Sequence, residues 1–482
     1  MRNMLFFSGI CAVGVTIGAV LFMYNRKMAR QQNVALATVV LAVGCVVIVT
    51  GYYSMASYNR SKQYGFQGLD NTQLSTDYSR KFVDSSISES INVKIMRNRT
   101  KADQFYGIMF DAGSTGSRIH VYKFVKLTAN STPELVDELF EQVKPGLSSY
   151  AHEPTKGAES FIPMLENAKK WIPKDKWPTT PLDLKATAGL RLLPGTAADS
   201  LLRETRNVLA SYPFQLVEDV AAIMGGNDEG IFSWYTVNFL LGKVADIGKS
   251  VGVMDLGGGS TQITFLPLAQ STLDKAPKDY FGSVNVFGKK HNLYTHSYLG
   301  LGLMSARLEV MGGLPDSPKN EQNKVENTLS SSCLPPNFTG PYTHGNTDYI
   351  IKGQGHTHGF DACSFATKNV VKKYKLHVPE EVKSMPFFAI SYYRDRAVDA
   401  QLVDEEDGGD VKVGDFFNAA QKICSDPHPK EPLLCLDLCY ITSLLEGIGF
   451  QPSAKITIQK KINRKEISWS LGATFDMLGK SS

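Results

Sequence analysis

Beyond residue 102 the apolar positions of this chain fall into short runs of two kinds. Dense runs rich in β-branched and aromatic residues occupy 107–110, 118–124, 182–187, 251–255, 262–266 and 387–392, and read as strands. Apolar residues at helical spacing occupy 162–171, 198–211, 232–241 and 416–424. Strands interleaved with helices predict an α/β fold, long enough for two domains. The run from 433 to 450 is apolar too, but Asp437 and Glu446 interrupt it, so it reads as a core helix. Residues 316–347, heavy in Asn, Ser and Pro, read as a surface insertion pinned by Cys333.

Before residue 103 the pattern changes. Two uncharged apolar stretches, 4–24 and 34–53, are each about 20 residues long, enough to cross a ~30 Å hydrocarbon layer. The short loop between them carries Arg26, Lys27 and Arg30, which places it on the cytosolic side and everything beyond in the secretory lumen or outside. Initiation at Met28 is the alternative; it leaves a single anchor and the same lumenal side. Residues 1–56 are therefore expected to form a membrane anchor and the polar stretch 57–102 a stalk.

Composition narrows the partners. A net charge of +4 over 482 residues, with no dense Lys/Arg run, excludes nucleic acid as an expected partner. Cys333, Cys363, Cys424, Cys435 and Cys439 match no zinc spacing, so disulfides are expected: Cys333 with Cys363, Cys424 with Cys435, and Cys439 left as a buried thiol. Sequons at Asn98, Asn130 and Asn337 fit a glycosylated lumenal part. His344, His356 and His358 have no cysteine or carboxylate at ligand spacing, so zinc is not expected there.

The chemistry is written in a duplication. Phe110-Asp111-Ala112-Gly113-Ser114-Thr115-Gly116-Ser117-Arg118-Ile119 aligns with Met254-Asp255-Leu256-Gly257-Gly258-Gly259-Ser260-Thr261-Gln262-Ile263. Each copy is an apolar run, an Asp, a Gly/Ser/Thr-rich turn and a second apolar run. Glycines let bare backbone N–H groups approach an anion, hydroxyls add donors, and the Asp offers a hard oxygen to a divalent cation. Two such hairpins facing one another would grip neighbouring phosphates across a metal, with two similar lobes and a cleft between them.

Three further segments can serve such a site. Thr187, in Ala186-Thr187-Ala188-Gly189, can order a metal-bound water, or merely punctuate a strand-to-helix turn. In Gly225-Gly226-Asn227-Asp228-Glu229-Gly230, Asn227 or Asp228 can cap the following helix and free Glu229 to take a proton from water. Tyr392 and Tyr393, at the end of an apolar run, are core residues or a stacking surface for a nucleobase.

Together these segments resemble the ecto-nucleoside triphosphate diphosphohydrolase (apyrase) family. The resemblance is carried, in order, by Asp111 to Arg118, Lys185 to Arg191, Asn227 to Gly230, Asp255 to Gln262, Tyr298 to Arg307, Ser391 to Tyr393 and Trp469 to Gly472. It implies the two-lobed actin/Hsp70/sugar-kinase-like fold, built of duplicated ribonuclease H-like lobes: 103–222 plus 463–482 as lobe I and 223–462 as lobe II. The chain has no second span after the globular part and two plausible cysteine pairs, which makes it more similar to the endoplasmic reticulum and Golgi nucleoside diphosphatases, the type five and six members.

That resemblance implies hydrolysis of UDP and GDP with Ca2+ or Mg2+, in the membrane of the endoplasmic reticulum or Golgi with the catalytic part lumenal; a secreted or cell-surface form is the alternative. It implies Glu229 as general base and Ser260 and Gln262 as holders of the water. Asp111, Asp255 and Thr187 would serve the metal, and Ser114, Thr115, Gly116, Gly258 and Gly259 the phosphates. Tyr392 or Tyr393 would stack on the base. Asp255-Leu-Gly-Gly-Gly-Ser-Thr261 also resembles exopolyphosphatases, which share the fold.

Overall fold

The computed structural model describes residues 103–480, apart from 127, 129–130, 314–326, 345–346, 356–357 and 428–429. The expected spans, the stalk, Asn98, Asn130 and His356 lie outside these residues. Among the described residues no helix is long and apolar enough to cross a membrane.

The first sheet is made of β1 (Asp103–Ala112), β2 (Ser117–Lys126), β3 (Glu134–Val143), β4 (Pro181–Ala186), β5 (Gln215–Leu216) and β6 (Ala222–Ile223), in the order β3-β2-β1-β4-β5 with β6 also on β4. The central pair β1 and β4 is parallel, and both strands are buried on both faces, as their continuous apolar runs require. Helices α1 (Ile162–Trp171), α2 (Ala188–Arg191) and α3 (Ala197–Ala210) follow β3 and β4. Leu165 and Leu201 on them join Ile108, Phe110, Leu182 and Leu184 in one apolar core.

Helix α4 (Gly226–Leu240) leads into the second half. There β7 (Gly252–Leu256), β8 (Ser260–Phe265), β9 (Phe281–Val286) and β10 (Lys289–Leu299) are followed by a three-stranded sheet of β11 (Thr328–Ser331), β12 (Thr339–His344) and β13 (Thr347–Gly353). Part of the expected surface insertion is thus ordered sheet. Strands β14 (Phe387–Ser391), β15 (Gly409–Lys412) and β16 (Lys455–Ile458) complete a seven-stranded sheet ordered β15-β16-β14-β7-β8-β10-β9. Between and after these strands run helices α5 (Phe360–Lys372), α6 (Tyr392–Asp399), α7 (Val413–Ser425), α8 (Leu434–Ile448) and α9 (Trp469–Lys480).

A third apolar cluster ties the two sheets together: Tyr122 and Phe124 of β2, Trp234 and Tyr235 of α4, and Leu471 and Phe475 of α9. The relation between the two hairpins is therefore held by packed aromatic rings rather than by loops.

The apolar run at 433–450 is the buried core helix α8. Its Asp437 is fully buried and receives the guanidinium of Arg307, Nε to Oδ1 at 2.7 Å, so the charge that interrupts the run is paired. Cys333 is bonded to Cys363 and Cys424 to Cys435, and Cys439 is a buried free thiol. Asn337 is exposed. Both ring nitrogens of His358 lie against backbone carbonyls, of Ser332 and Cys424, so it clips the two disulfide-bearing segments together.

Two local expectations are corrected. Helix α4 starts at Gly226 rather than in the 230s, with Gly225 as N-cap and no side-chain cap. Neither Asn227 nor Asp228 serves as cap. The Asn227 side chain instead spans outward, donating to the Asp279 carbonyl and accepting from the Ser297 N–H, so tertiary hydrogen bonds set this helix end. The run expected as strand to 392 stops at Ser391, which adopts φ 61 and turns directly into α6.

Candidate functional site

The two halves of the duplicated segment fold alike. In the first, Asp111 on β1 stands opposite Arg118 on β2; in the second, Asp255 on β7 stands opposite Gln262 on β8. Each turn is closed by the same bond, Gly113 N–H to the Gly116 carbonyl at 3.1 Å and Gly257 N–H to the Ser260 carbonyl at 3.0 Å. The turns also meet. A Cβ on Gly258 would lie 2.4 Å from Ser114 Oγ, and one on Gly189 would lie 2.8 Å from the Ser114 Cα, so α2 closes on the first turn as the second turn faces it.

Where they meet is a cavity of about 530 Å³ lined by Asp111, Ser114, Thr115, Thr187, Glu229, Asp255 and Gly258, among others. Gly116, Gly259, Ser260 and Gln262 do not line it: Gly116 packs on Gln142 and Val143, Gly259 on Ala188 and Leu192, and the buried Ser260 and Gln262 reach it through the Gln262 contact with Glu229.

Glu229 lies in the first turn of α4 and is buried. Arg191 Nη2 donates to its Oε2 at 2.7 Å, and Gln262 Nε2 to the same oxygen at 3.2 Å. Gln262 Nε2 also lies 2.9 Å from Ser260 Oγ. Burial, opposed by Arg191 and reinforced by the charges of Asp255 and Asp111, pushes the Glu229 carboxyl up to about 8. Burial likewise raises Asp255, against the hydroxyls of Ser391 and Ser233 that hold its charged form and with the charge of Asp111 that opposes it.

The donor set fits a hard divalent cation. Asp111 spends Oδ2 on Arg118 at 2.9 Å, while its Oδ1 is buried with no hydrogen-bond partner. A lone buried carboxylate oxygen beside a second, mutually repelling carboxylate is costly unless positive charge joins them.

A family model of the GDA1/CD39 nucleoside phosphatases matches residues 97–385 and 412–482. The chain belongs to this family. It is 45% identical over 375 residues to ectonucleoside triphosphate diphosphohydrolase 6 of Mus musculus, covering 77% of this chain and 81% of that protein. It is 45% identical over 383 residues to the nucleoside diphosphate phosphatase ENTPD5 of Homo sapiens, covering 78% and 88%. A nucleoside triphosphate hydrolase structure from Neospora caninum shares the fold, with TM-score 0.54, 14% identity, and coverage of 84% of this chain and 98% of that one.

GDA1/CD39 proteins are typically dependent on a divalent cation. On this member, Tyr392 at the start of α6 lines the cavity with Ser391, Arg394 and Arg396, whereas Tyr393 is completely buried in the core of the second sheet. Tyr393 therefore offers no face to a ligand. This segment falls in the interval 386–411 that the family match skips.

Arg118, Arg191, Ser233, Ser297 and Ser391 join the site without a role that their sequence motifs assign. Arg118 had a signal: it occupies the place of Gln262 in the duplication. Ser297 had none, since only the register of β10 on β8 brings it opposite Gln262.

Proposed function

We propose that the protein is a divalent-cation-dependent nucleoside diphosphatase of the secretory lumen that converts UDP or GDP to monophosphate and phosphate. The observation that carries this reading is that Glu229 lies on the cavity wall where Asp111 and Asp255 of the two hairpins converge.

Glu229, in its ionised form, is the general base; a cation held by Asp111 and Asp255 would favour that form by offsetting the negative charges that help push its carboxyl up. Its Oε2 is held by Arg191 and Gln262, so Oε1 is the oxygen that takes the proton from water as the water oxygen attacks the terminal phosphorus. The bond from that phosphorus to the bridging oxygen breaks, and its electron pair leaves with the monophosphate. Ser260 and Gln262 hold the water. Backbone amides of the hairpins, with the hydroxyls of Ser114 and Thr115, receive charge on the phosphoryl oxygens. Asp111 and Asp255, with Thr187 beside them, would hold Ca2+ or Mg2+, which supplies charge neutralisation and orientation of the phosphate chain. Tyr392 stacks on the base. In the lumen the reaction removes the diphosphate that glycosyltransferases release and supplies the monophosphate exchanged for incoming nucleotide sugars.

Phosphate release by the purified full-length protein tests this, across nucleoside di- and triphosphates and long-chain polyphosphate, with Ca2+, Mg2+ or chelator. UDP and GDP turned over fastest, and only with cation, is the expected result. Preference for polyphosphate would instead favour the exopolyphosphatase reading.

A further inference from the structure

Gln262 is held by more than the two residues that flank the water. Its Nε2 has three oxygen neighbours: Ser260 Oγ at 2.9 Å, Ser297 Oγ at 3.0 Å and Glu229 Oε2 at 3.2 Å. Its Oε1 is buried and has no partner. The carboxylate of Glu229 can only accept, so it turns the amide nitrogen towards itself; the two hydroxyls share the second N–H, and the free oxygen is then the only polar atom of the side chain left to engage water.

Ser297 is itself fixed on two sides. It sits directly opposite Gln262 in the antiparallel β8–β10 ladder, and its backbone N–H donates to Asn227 Oδ1 at 3.2 Å, two residues from Glu229 in sequence. Close approach to α4 depends on Gly226: a Cβ there would lie 2.3 Å from Ser297 Oγ and 2.5 Å from Arg191 Nη1. A bare backbone at 226 thus lets the hydroxyl that orients Gln262 and the guanidinium that orients Glu229 close on the same point.

We infer that Ser297 is a positioning residue for hydrolysis: its hydroxyl fixes the Gln262 amide with Oε1 turned to accept a hydrogen bond from the attacking water. The inference rests on the nucleoside diphosphatase reading and adds to it a residue that touches neither substrate nor metal. A held water is needed in the reacting state and not for nucleotide binding, so losing the hydroxyl should lower kcat and leave KM alone.

The test uses full-length Ser297→Ala and Ser297→Cys, the second keeping the side-chain shape while weakening the acceptor. Both are expected to lose about three- to tenfold in kcat, the value of one neutral hydrogen bond. KM, affinity for an α,β-methylene nucleoside diphosphate and Tm should stay at wild-type values. In a Gln262→Ala background, Ser297→Ala should cost nothing further, because the group it orients is gone. Wild-type kcat in Ser297→Cys, or losses that multiply in the double variant, would overturn the inference while leaving the diphosphatase reading intact. A wild-type protein that releases no phosphate from any nucleoside diphosphate would overturn both.

Discussion

Arg191 and Glu229 meet at 2.7 Å across the junction of α2 and α4, and the guanidinium engages only Oε2 of the carboxylate. One oxygen is anchored, and no donor among the described residues is placed on the other. That division is what a general base requires: orientation through one oxygen and proton uptake through its twin. Glu229→Gln keeps the shape and removes the base. Turnover should fall by about 10²–10⁴, with nucleotide affinity retained by calorimetry; near-normal turnover in a folded variant refutes the assignment.

The same carboxyl should leave a trace in stability. Its folded value, about 8, stands above the ordinary 4.5, so between those limits the folded protein keeps a proton that the unfolded chain releases. The contribution is fully present below about pH 4.5 and is lost as pH rises through about 8. Tm of the wild type minus Tm of Glu229→Gln should therefore decrease steadily from pH 5 to pH 9 in chelator. A difference that is flat or rising with pH contradicts the buried, proton-holding carboxyl.

Asp111 and Asp255 should separate metal affinity from fold. Asp255→Asn removes a buried charge whose burial opposes ionisation, so Tm in chelator should hold or rise while the Ca2+ concentration for half-maximal activity increases at least tenfold. Asp111→Asn should also weaken Ca2+ activation, but at a cost in stability, because Arg118 loses its carboxylate partner. An unchanged Ca2+ titration in both variants excludes a metal role for the pair.

How much of this was legible beforehand follows from what each signal depends on. The hairpins were legible because an Asp, a glycine turn and two apolar runs fix their own geometry locally, and repetition made them doubly visible. Cys333–Cys363 and Cys424–Cys435 were legible because each spacing is short. The start of α4 is hidden in the sequence because Gly225, Gly226 and Gly230 look like loop, yet Asn227 is secured from β10 and the turn is helical. Ser297 and Arg191 were invisible as partners because no local pattern says which side chains a sheet register or a helix junction will bring together.

Close approach of backbone to backbone at the second hairpin makes Gly302 a sensitive position. Its φ of −73 suits any residue, so conformation is not the reason for glycine. A Cβ there would lie 2.4 Å from each of Gly258 C, Gly259 N and Ser260 N. Gly302→Ala should displace the phosphate-facing turn, costing about 1–3 kcal/mol in stability and raising KM as well as lowering kcat. Gly248→Ala, whose nearest neighbour stands 3.8 Å away, is the control and should be silent in both measurements.

Adjacent tyrosines should behave as different kinds of residue. Ser391, at a positive φ of 61, ends β14 and turns the chain so that Tyr392 lines the cavity while Tyr393 lies in the second sheet's core. Stacking on a base contributes about 1–3 kcal/mol, so Tyr392→Ala should raise KM roughly 5- to 150-fold, with a smaller loss of Tm than at Tyr393 because its ring is only partly buried against the core. Tyr393→Ala empties a fully buried site and should cost about 3–5 kcal/mol of stability, while the ratio of UDP to GDP turnover in the surviving enzyme stays as in wild type. The ratio is the deciding measurement: if it shifts in Tyr393→Ala but not in Tyr392→Ala, the base is read from inside the sheet and the cavity face of α6 is not its platform.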